Sequence, residues 1–404
     1  MLALVNEANK TVNFAVKTLN GITEISTVHN KIMQGDVLSP LVSSNMVDVN
    51  ITKTAISTEN IYMFKNKVPI PPLIMQDDTL AISTCGYKTR KITNFLNTHT
   101  NILSHQFGRD KCVKMHIGKK HNIEICGDVS VYAWSEKLMT SSAQTEQLQG
   151  IYFGKENMKN VTEKKYLGDL ISCDLKNNQN IKKIGGKETG NVNKIILTLS
   201  EKPYGKHLFK AEKLMKEGLL INSLLTNSES WVNVLEKDVE NLGKCDTVLL
   251  RKILSENGNP SKVFMFLEHG IVPVKFIMKG KQANFLKYML NENMGSMLKE
   301  VYEALKSDSR KGDFVYQVTQ DLKDLKISRS EETTRNCSKS QWKKVVKRQV
   351  KSEALDYLIK ENNKKEKTRD IVFESLNMSS YLYQNRSTPL SKVIFSVTSQ
   401  TLDI

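Results

Sequence analysis

Asp77 and Asp78 are adjacent carboxylates set between two apolar triplets, Leu73-Ile74-Met75 before and Leu80-Ala81-Ile82 after. Apolar segments on both sides of a polar pair fold most simply as a β-hairpin with the pair at its turn. Two carboxylates in such surroundings are costly to bury without a metal ion; an ordinary polar turn is the alternative. Thiol chemistry is poorly served. The six cysteines, Cys85, Cys112, Cys126, Cys173, Cys245 and Cys337, form no closely spaced pair, and His116 and His121 between Cys112 and Cys126 fit no zinc module. They read as reduced thiols. The run Gly185-Gly186-Lys187-Glu188-Thr189-Gly190 departs from the phosphate-loop pattern and reads as a linker.

The elements that must position these residues follow from local pattern. Thr11 to Thr18 and Ile22 to Val28 flank Asn20-Gly21, which predicts a hairpin. Ser39-Pro40 suits a helix start, with the helix running from about Leu41. Val68-Pro69-Ile70-Pro71-Pro72 is a stiff connector into the Asp77-Asp78 hairpin. Ile92, Phe95, Leu96, Ile102 and Leu103 predict a helix from Thr89 to about His105. Lys114 to Gly118 and Lys165 to Ser172 read as strands, and residues 119–160 as a hairpin with surface loops. Past Ile181 the pattern turns helical: Leu214, Gly218, Ile221 and Leu225 share one face, as do Phe285, Leu286, Met289 and Leu290. Between Arg335 and Arg369 there are twelve Lys and Arg against four Asp and Glu. Trp342, Val346, Val350 and Ala354 step by four there, which predicts a basic amphipathic helix with Trp342 in the core. The chain is expected to fray after Ser387.

The 404 residues carry a formal net charge of +16, which points to a polyanionic partner, nucleic acid first and anionic membrane second. A merely lysine-rich composition is the alternative. The start lacks the charged lead and apolar run of a signal peptide, and no stretch approaches the ~20 apolar residues of a membrane span. The expectation is an intracellular protein, nuclear or cytoplasmic, with no membrane partner.

Four segments then stand in a telling order: Gln34-Gly35-Asp36-Val37-Leu38-Ser39-Pro40, the Asp77-Asp78 hairpin, Phe107-Gly108-Arg109-Asp110-Lys111-Cys112, and Tyr166-Leu167-Gly168-Asp169. They resemble the later palm motifs of non-LTR retrotransposon reverse transcriptases. Asn222 to Trp231 and Leu267 to Val274 resemble the thumb region and a segment that follows it. The resemblance spans residues 5–360 and implies an α+β fold. That fold is a partial palm, a small antiparallel sheet plus helices, over 1–180. An all-α thumb-like region over 181–307 follows, then a basic, partly disordered helical region over 308–404.

The resemblance further implies two-metal nucleotidyl transfer, for which Mg²⁺ or Mn²⁺ needs hard oxygen ligands. Asp77 would be the main ligand and Asp78 the supporting one. Lys111 matches the lysine near the incoming phosphates, a solvated lysine being the alternative. Gln34 and Gly35 match the loop facing template and nucleotide, where glycine permits close approach. Tyr166, Leu167, Gly168 and Asp169 match the primer grip. RNA template and DNA primer are the implied partners. Met75-Gln76 departs from the family's aromatic-Ala before the carboxylates, which puts primer-end contacts in question. The family also places a first metal-binding Asp well upstream of Gln34, and residues 1–33 contain no Asp, only Glu7 and Glu24. Two carboxylates of three leave transition-state charge undercompensated. The expectation is therefore a reverse transcriptase remnant inactive as this fragment. The alternative is a non-catalytic RNA- or DNA-binding protein using the basic thumb and tail.

Overall fold

A computed structural model describes residues 11–15, 17–18, 21–22, 24, 26–29, 61–75, 78–102, 111–118, 130–133, 154–201, 208–254, 261–291, 295–328, 331–366, 368, 371–377 and 379. They are mixed α and β and fall into two compact units, residues 1–116 with 122–161, and residues 117–121 with 162–404. The helix expected from Leu41 and the chain past Ser387 lie outside the described residues.

In the first unit every described strand pairs with one partner. Strands β1 (Thr11–Phe14) and β4 (Ser26–His29) are antiparallel, as are β2 (Lys17–Thr18) and β3 (Gly21–Ile22). The register shifts by one residue between these two ladders, so the expected hairpin carries a bulge. Strands β5 (Tyr62–Phe64) and β6 (Val68–Ile70) form the next hairpin, whose turn holds Lys65 and Asn66 at positive φ. Strands β7 (Leu73–Met75) and β8 (Asp78–Leu80) follow, then helix α1 (Gly86–Ile102), which buries Ile92 and Leu96 as its spacing predicted. The strand expected from Lys114 to Gly118 shortens to β9 (Val113–Lys114), which runs parallel to β12 (Lys159–Asn160). Strands β10 (Ser130–Ala133) and β11 (Gly154–Asn157) form an antiparallel pair between them.

The second unit opens with the hairpin β13 (Glu163–Tyr166) and β14 (Asp169–Ser172), so the segment Lys165 to Ser172 expected as one strand turns back at Leu167-Gly168. The unit's other described elements are helical. Helix α2 spans Asn178–Glu201 without a break, so the glycine run at Gly185 to Gly190 is helix interior and not a linker. Mid-helix glycine is unfavourable, but tertiary contacts outweigh it. Ile181, Val192, Ile195 and Leu199 are buried. Glu188, itself buried, accepts from Ser223 Oγ at 2.5 Å and Asn191 Nδ2 at 2.7 Å.

Helix α3 (Leu208–Met215) continues through a π-helical turn (Lys216–Ile221) into a last helical turn, Asn222–Leu224. The wider turn breaks the face expected for Leu214, Gly218, Ile221 and Leu225. Leu214 is 64% exposed, while Leu220, Ile221, Leu224 and Leu225 are buried. Helices α4 (Glu236–Leu242), α5 (Lys244–Leu254) and α6 (Lys262–Glu268) lead to the central helix α7 (Val274–Met289). Helices α8 (Ser296–Ser307), α9 (Phe314–Asp324), α10 (Glu331–Asn336) and α11 (Lys339–Asn362) complete the unit.

Helix α7 packs against α4, α8, α9 and α11 and buries residues around much of its circumference. Helix α11 starts at a capping box, with Ser338 Oγ accepting from Gln341 N at 3.2 Å and Gln341 Oε1 accepting from Ser338 N at 3.2 Å. Its buried positions, Trp342, Val346, Val350, Ala354 and Leu358, step by four. Each step of four rotates the stripe by about 40° around the helix, so successive residues meet different neighbours. Trp342 donates through Nε1 to Ala283 O at 3.2 Å, and further along Tyr357 packs on Phe276. At the crossing a Cβ on Gly280 would lie 3.0 Å from Val350 Cγ2 and 3.5 Å from Val346 Cγ1.

The glycines therefore divide into two kinds. Gly186 and Gly190 are exposed and a methyl there meets nothing within 4 Å. Gly186→Ala and Gly190→Ala should each raise stability by about 0.5–1 kcal/mol. Gly280→Ala should lower it by about 1–3 kcal/mol, because the obstructing valine has little rotamer freedom in a helix. Urea unfolding of the three variants beside the parent checks both signs.

Candidate functional site

The tip of the β13–β14 hairpin carries Tyr166, Leu167, Gly168 and Asp169. The register Tyr166↔Asp169 leaves a two-residue turn, and both central residues have positive φ, 46° at Leu167 and 97° at Gly168. This is the type I′ geometry whose twist matches that of paired strands. Glycine suits the second position; a leucine at the first is unusual, since left-handed backbone disfavours a branched side chain. Leu167 is 47% exposed, so burial of its side chain does not explain its presence.

The tip is held from outside. Asn227 Nδ2 donates to Leu167 O at 3.3 Å and lies 3.8 Å from where a Cβ on Gly168 would sit. Asn180 Oδ1 accepts from Leu170 N at 3.1 Å, and Asn180 Nδ2 donates to Asp169 Oδ1 at 3.0 Å. Asn227 is itself left-handed, φ 58°, at the bend between the π-helix segment and Trp231, a conformation asparagine tolerates better than most residues. The bend is fastened to α7: Lys281 Nζ donates to Leu225 O at 2.5 Å, and Gln282 Nε2 donates to Trp231 O at 2.6 Å in the buried interior. Asn177 Nδ2 donates to Val232 O at 3.0 Å, tying the same bend to the start of α2. Sequence reading singled out Tyr166 to Asp169 and Asn222 to Trp231 separately and missed Asn180, Lys281 and Gln282. Only the capacity of an amide or ammonium to pair with a backbone group marks those three.

The other expected site residues lie in the first unit. Asp78 opens β8 opposite Met75, exposed, so the hairpin expected around the carboxylate pair is present. Asp77 lies outside the described residues, as do Gln34 and Gly35. Lys111 is exposed just before β9. Asp77 and Asp78 offer the hard oxygens Mg²⁺ takes; among the described residues no group of three or more His, Cys, Asp or Glu is placed to hold a metal ion. Cys85, Cys173, Cys245 and Cys337 are free thiols. No described helix is long and apolar enough to cross a membrane.

The Leu267 to Val274 segment delivers a second group of ionisable residues, all buried. His269 Nε2 lies 3.2 Å from Glu212 Oε2, both fully buried. Lys216 Nζ lies 3.4 Å from Asp246 Oδ1, at 5% and 0% exposure. Burial pushes the Glu212 carboxyl up to about 7 against the pull of Lys216, and burial with the charges of Lys216 and Lys213 pushes the His269 imidazole down to about 3. The two are therefore both neutral at slightly acid pH, with the Glu212 hydroxyl facing the imidazole nitrogen. Burial also raises the Asp246 carboxyl, against Lys216. A carboxyl titrating near 7 suits proton transfer, but complete burial denies it a substrate. These groups lock α3, the π-helical turn, α5 and the end of α6 together.

No family model, curated protein or solved structure matches this chain.

Two expectations follow. Leu167→Asn converts the tip to Asn-Gly, the preferred type I′ pair, and should raise the unfolding free energy by up to about 1 kcal/mol; Asn227→Ala should lower it by a similar amount. For Glu212 the folded carboxyl keeps its proton while the unfolded one releases it, so its contribution to stability falls as pH rises from about 4.5 to about 7. His269 acts oppositely: its contribution falls as pH drops below about 6.5. Glu212→Gln retains a donor toward His269 and removes only the first dependence. Its stability relative to the parent should rise by up to about 3 kcal/mol between pH 4.5 and 8. Urea unfolding across that range reads the difference, and a constant offset would mean that Glu212 is ionised throughout.

Proposed function

We propose that this chain is part of a non-LTR retrotransposon reverse transcriptase, from the later palm motifs through the thumb, and that as this sequence it binds nucleic acid without polymerising. The observation that carries the reading is the hydrogen bond from Asn227 to the Leu167 carbonyl. It joins two segments 60 residues apart, each of which resembles this family independently, and places the turn likened to a primer grip on the segment likened to the thumb. A turn whose backbone is fixed from behind and whose tip faces solvent can hold a primer strand by its phosphates and sugars.

Asp77 and Asp78 would hold the divalent ion that aligns primer hydroxyl and triphosphate when bound. The chain's own part in that step is two carboxylates at a hairpin, with Lys111 contributing positive charge toward the phosphates. The third carboxylate of the family is not among residues 1–33. Two ligands by themselves bind the ions weakly and leave the transition state undercompensated, so polymerisation calls for a third carboxylate from outside residues 1–33. The net charge of +16 supports the nucleic-acid partner in either form.

Primer extension on an RNA template, with Mg²⁺ or Mn²⁺ and an Asp77→Ala control, tests the proposal. Expected is no extension, together with binding of the template–primer that weakens steeply with salt. Extension that disappears in Asp77→Ala would overturn the inactive reading. Absence of both extension and binding would overturn the polymerase ancestry as a guide to function.

A further inference from the structure

We propose that the solvent face of α11 between Lys339 and Ser352 is a docking surface for the sugar–phosphate backbone of a nucleic-acid strand, extended by Lys213 of α3. The inference deepens the nucleic-acid reading above by naming the face that binds, and it rests on charge placement within the helical unit.

From Lys339 to Ser352 the helix holds six basic residues and no acidic one. Lys339, Lys343, Lys347 and Lys351 step by four and form one row; Lys344 and Arg348 form a second beside it. Successive members of a row are displaced about 6 Å along the axis, comparable to the step between phosphates of an extended strand. Five of the six are exposed and Lys351 is half-buried. None takes part in the ion pairs among the described residues, whereas the acids further along α11, Glu353 and Asp356, are both paired to Lys326 at 2.8 and 3.3 Å. Like charges at i and i+4 destabilise a helix, so the rows persist against local preference. Burial, and then the like charges of Lys213 and Lys347, hold the Lys351 ammonium below its ordinary value. Cations from two helices thus act on one ammonium, offset only in part by the Glu217 carboxylate.

The rest of the face decides the partner. A helix that lies in a membrane surface turns an apolar side to the lipid, but the apolar stripe of α11, Trp342, Val346 and Val350, is buried in the protein core. Protein interfaces centre on exposed aromatic or aliphatic anchors, and the exposed residues of this stretch are Lys, Arg, Ser and Gln only. Cations interleaved with hydroxyl and amide groups suit phosphate and sugar contacts.

The test compares Lys343→Gln/Lys347→Gln/Arg348→Gln with Lys182→Gln/Lys183→Gln/Lys187→Gln, an equal change of net charge on exposed positions of α2. The probe is an unstructured single-stranded RNA, titrated at several salt concentrations. The α11 variant should bind about tenfold or more weakly at low salt, with a salt slope shallower by about 2, while the α2 variant stays near the parent. In the unaltered protein the RNA should protect Lys343 and Lys347, and not Lys182, from amine-directed labelling, a readout independent of how the variants fold. Equal weakening in both variants, or an unchanged slope, overturns the surface and leaves the nucleic-acid reading standing. No RNA binding by the parent overturns both. Vesicles rich in phosphatidylserine that bind the parent and release the α11 variant, with RNA binding unaffected, also overturn the proposal in favour of a membrane partner.

Discussion

The crossing of α7 and α11 at Gly280 is the contact on which the helical unit depends. Helix α7 is buried around much of its circumference, so it cannot stand without neighbours on several sides. Absence of a side chain at Gly280 lets Val346 and Val350 seat against its backbone. The stripe from Trp342 to Leu358 then covers α7 and, as it winds, reaches α6 as well. Fully burying each such side chain contributes about 1.5–3 kcal/mol, against about 0.5–1.5 kcal/mol for a hydrogen bond such as Trp342 to Ala283. Packing therefore sets the stability of the crossing, and the indole bond sets its register.

With one side of α7 fixed by α11, the polar residues beside Gly280 point elsewhere and serve a different purpose. Lys281 and Gln282 donate to the carbonyls of Leu225 and Trp231 at the two ends of the sharp bend, the first of which also accepts from Ser228. The bend in turn presents Asn227 to the hairpin tip. A line of contacts thus runs from the apolar core to Leu167, and it grows thinner outward, from close packing to buried hydrogen bonds to a single exposed one. Free energies of local opening follow the same order. The hairpin tip is the part of this line that moves at least cost.

Strongly periodic segments were legible in the sequence, and positions governed by a single backbone event were not. The step-of-four stripe predicted α11 and its buried Trp342, and the apolar triplets around Asp77-Asp78 predicted the β7–β8 hairpin. The glycine run in α2 misled, because propensity argues for a break there and the burial of Ile181, Val192 and Glu188 overrides it. Leu214 and Gly218 misled for another reason. A π-helical turn admits one extra residue, and every residue beyond it changes face; no composition signals that insertion. Of the candidate site, Lys165 to Ser172 read as a single strand, and the reversal of the chain at Leu167-Gly168 was not legible, because strand-like residues stand on both sides of it. Nor was its fastening by Asn180 and Asn227, since contacts across 10 and 60 residues leave no local pattern.

The placement of charge separates what folding requires from what it leaves open. Inside the unit, taking ions out of water is so costly that charges persist only when paired or neutralised. Lys216 faces Asp246, and burial favours the uncharged forms of Glu212 and His269, which face one another. Folding dictates those arrangements, and they say little about function. On the surface, water solvates a lysine whether or not it has a partner, and a pair contributes little. Lys326 is paired twice and the cations from Lys339 to Lys351 are not, although all sit on or against the same helix. Stability alone is nearly indifferent between those two patterns, and α11 would be a better helix with the acids spread along it. The unpaired rows are thus a feature that the fold tolerates and does not need.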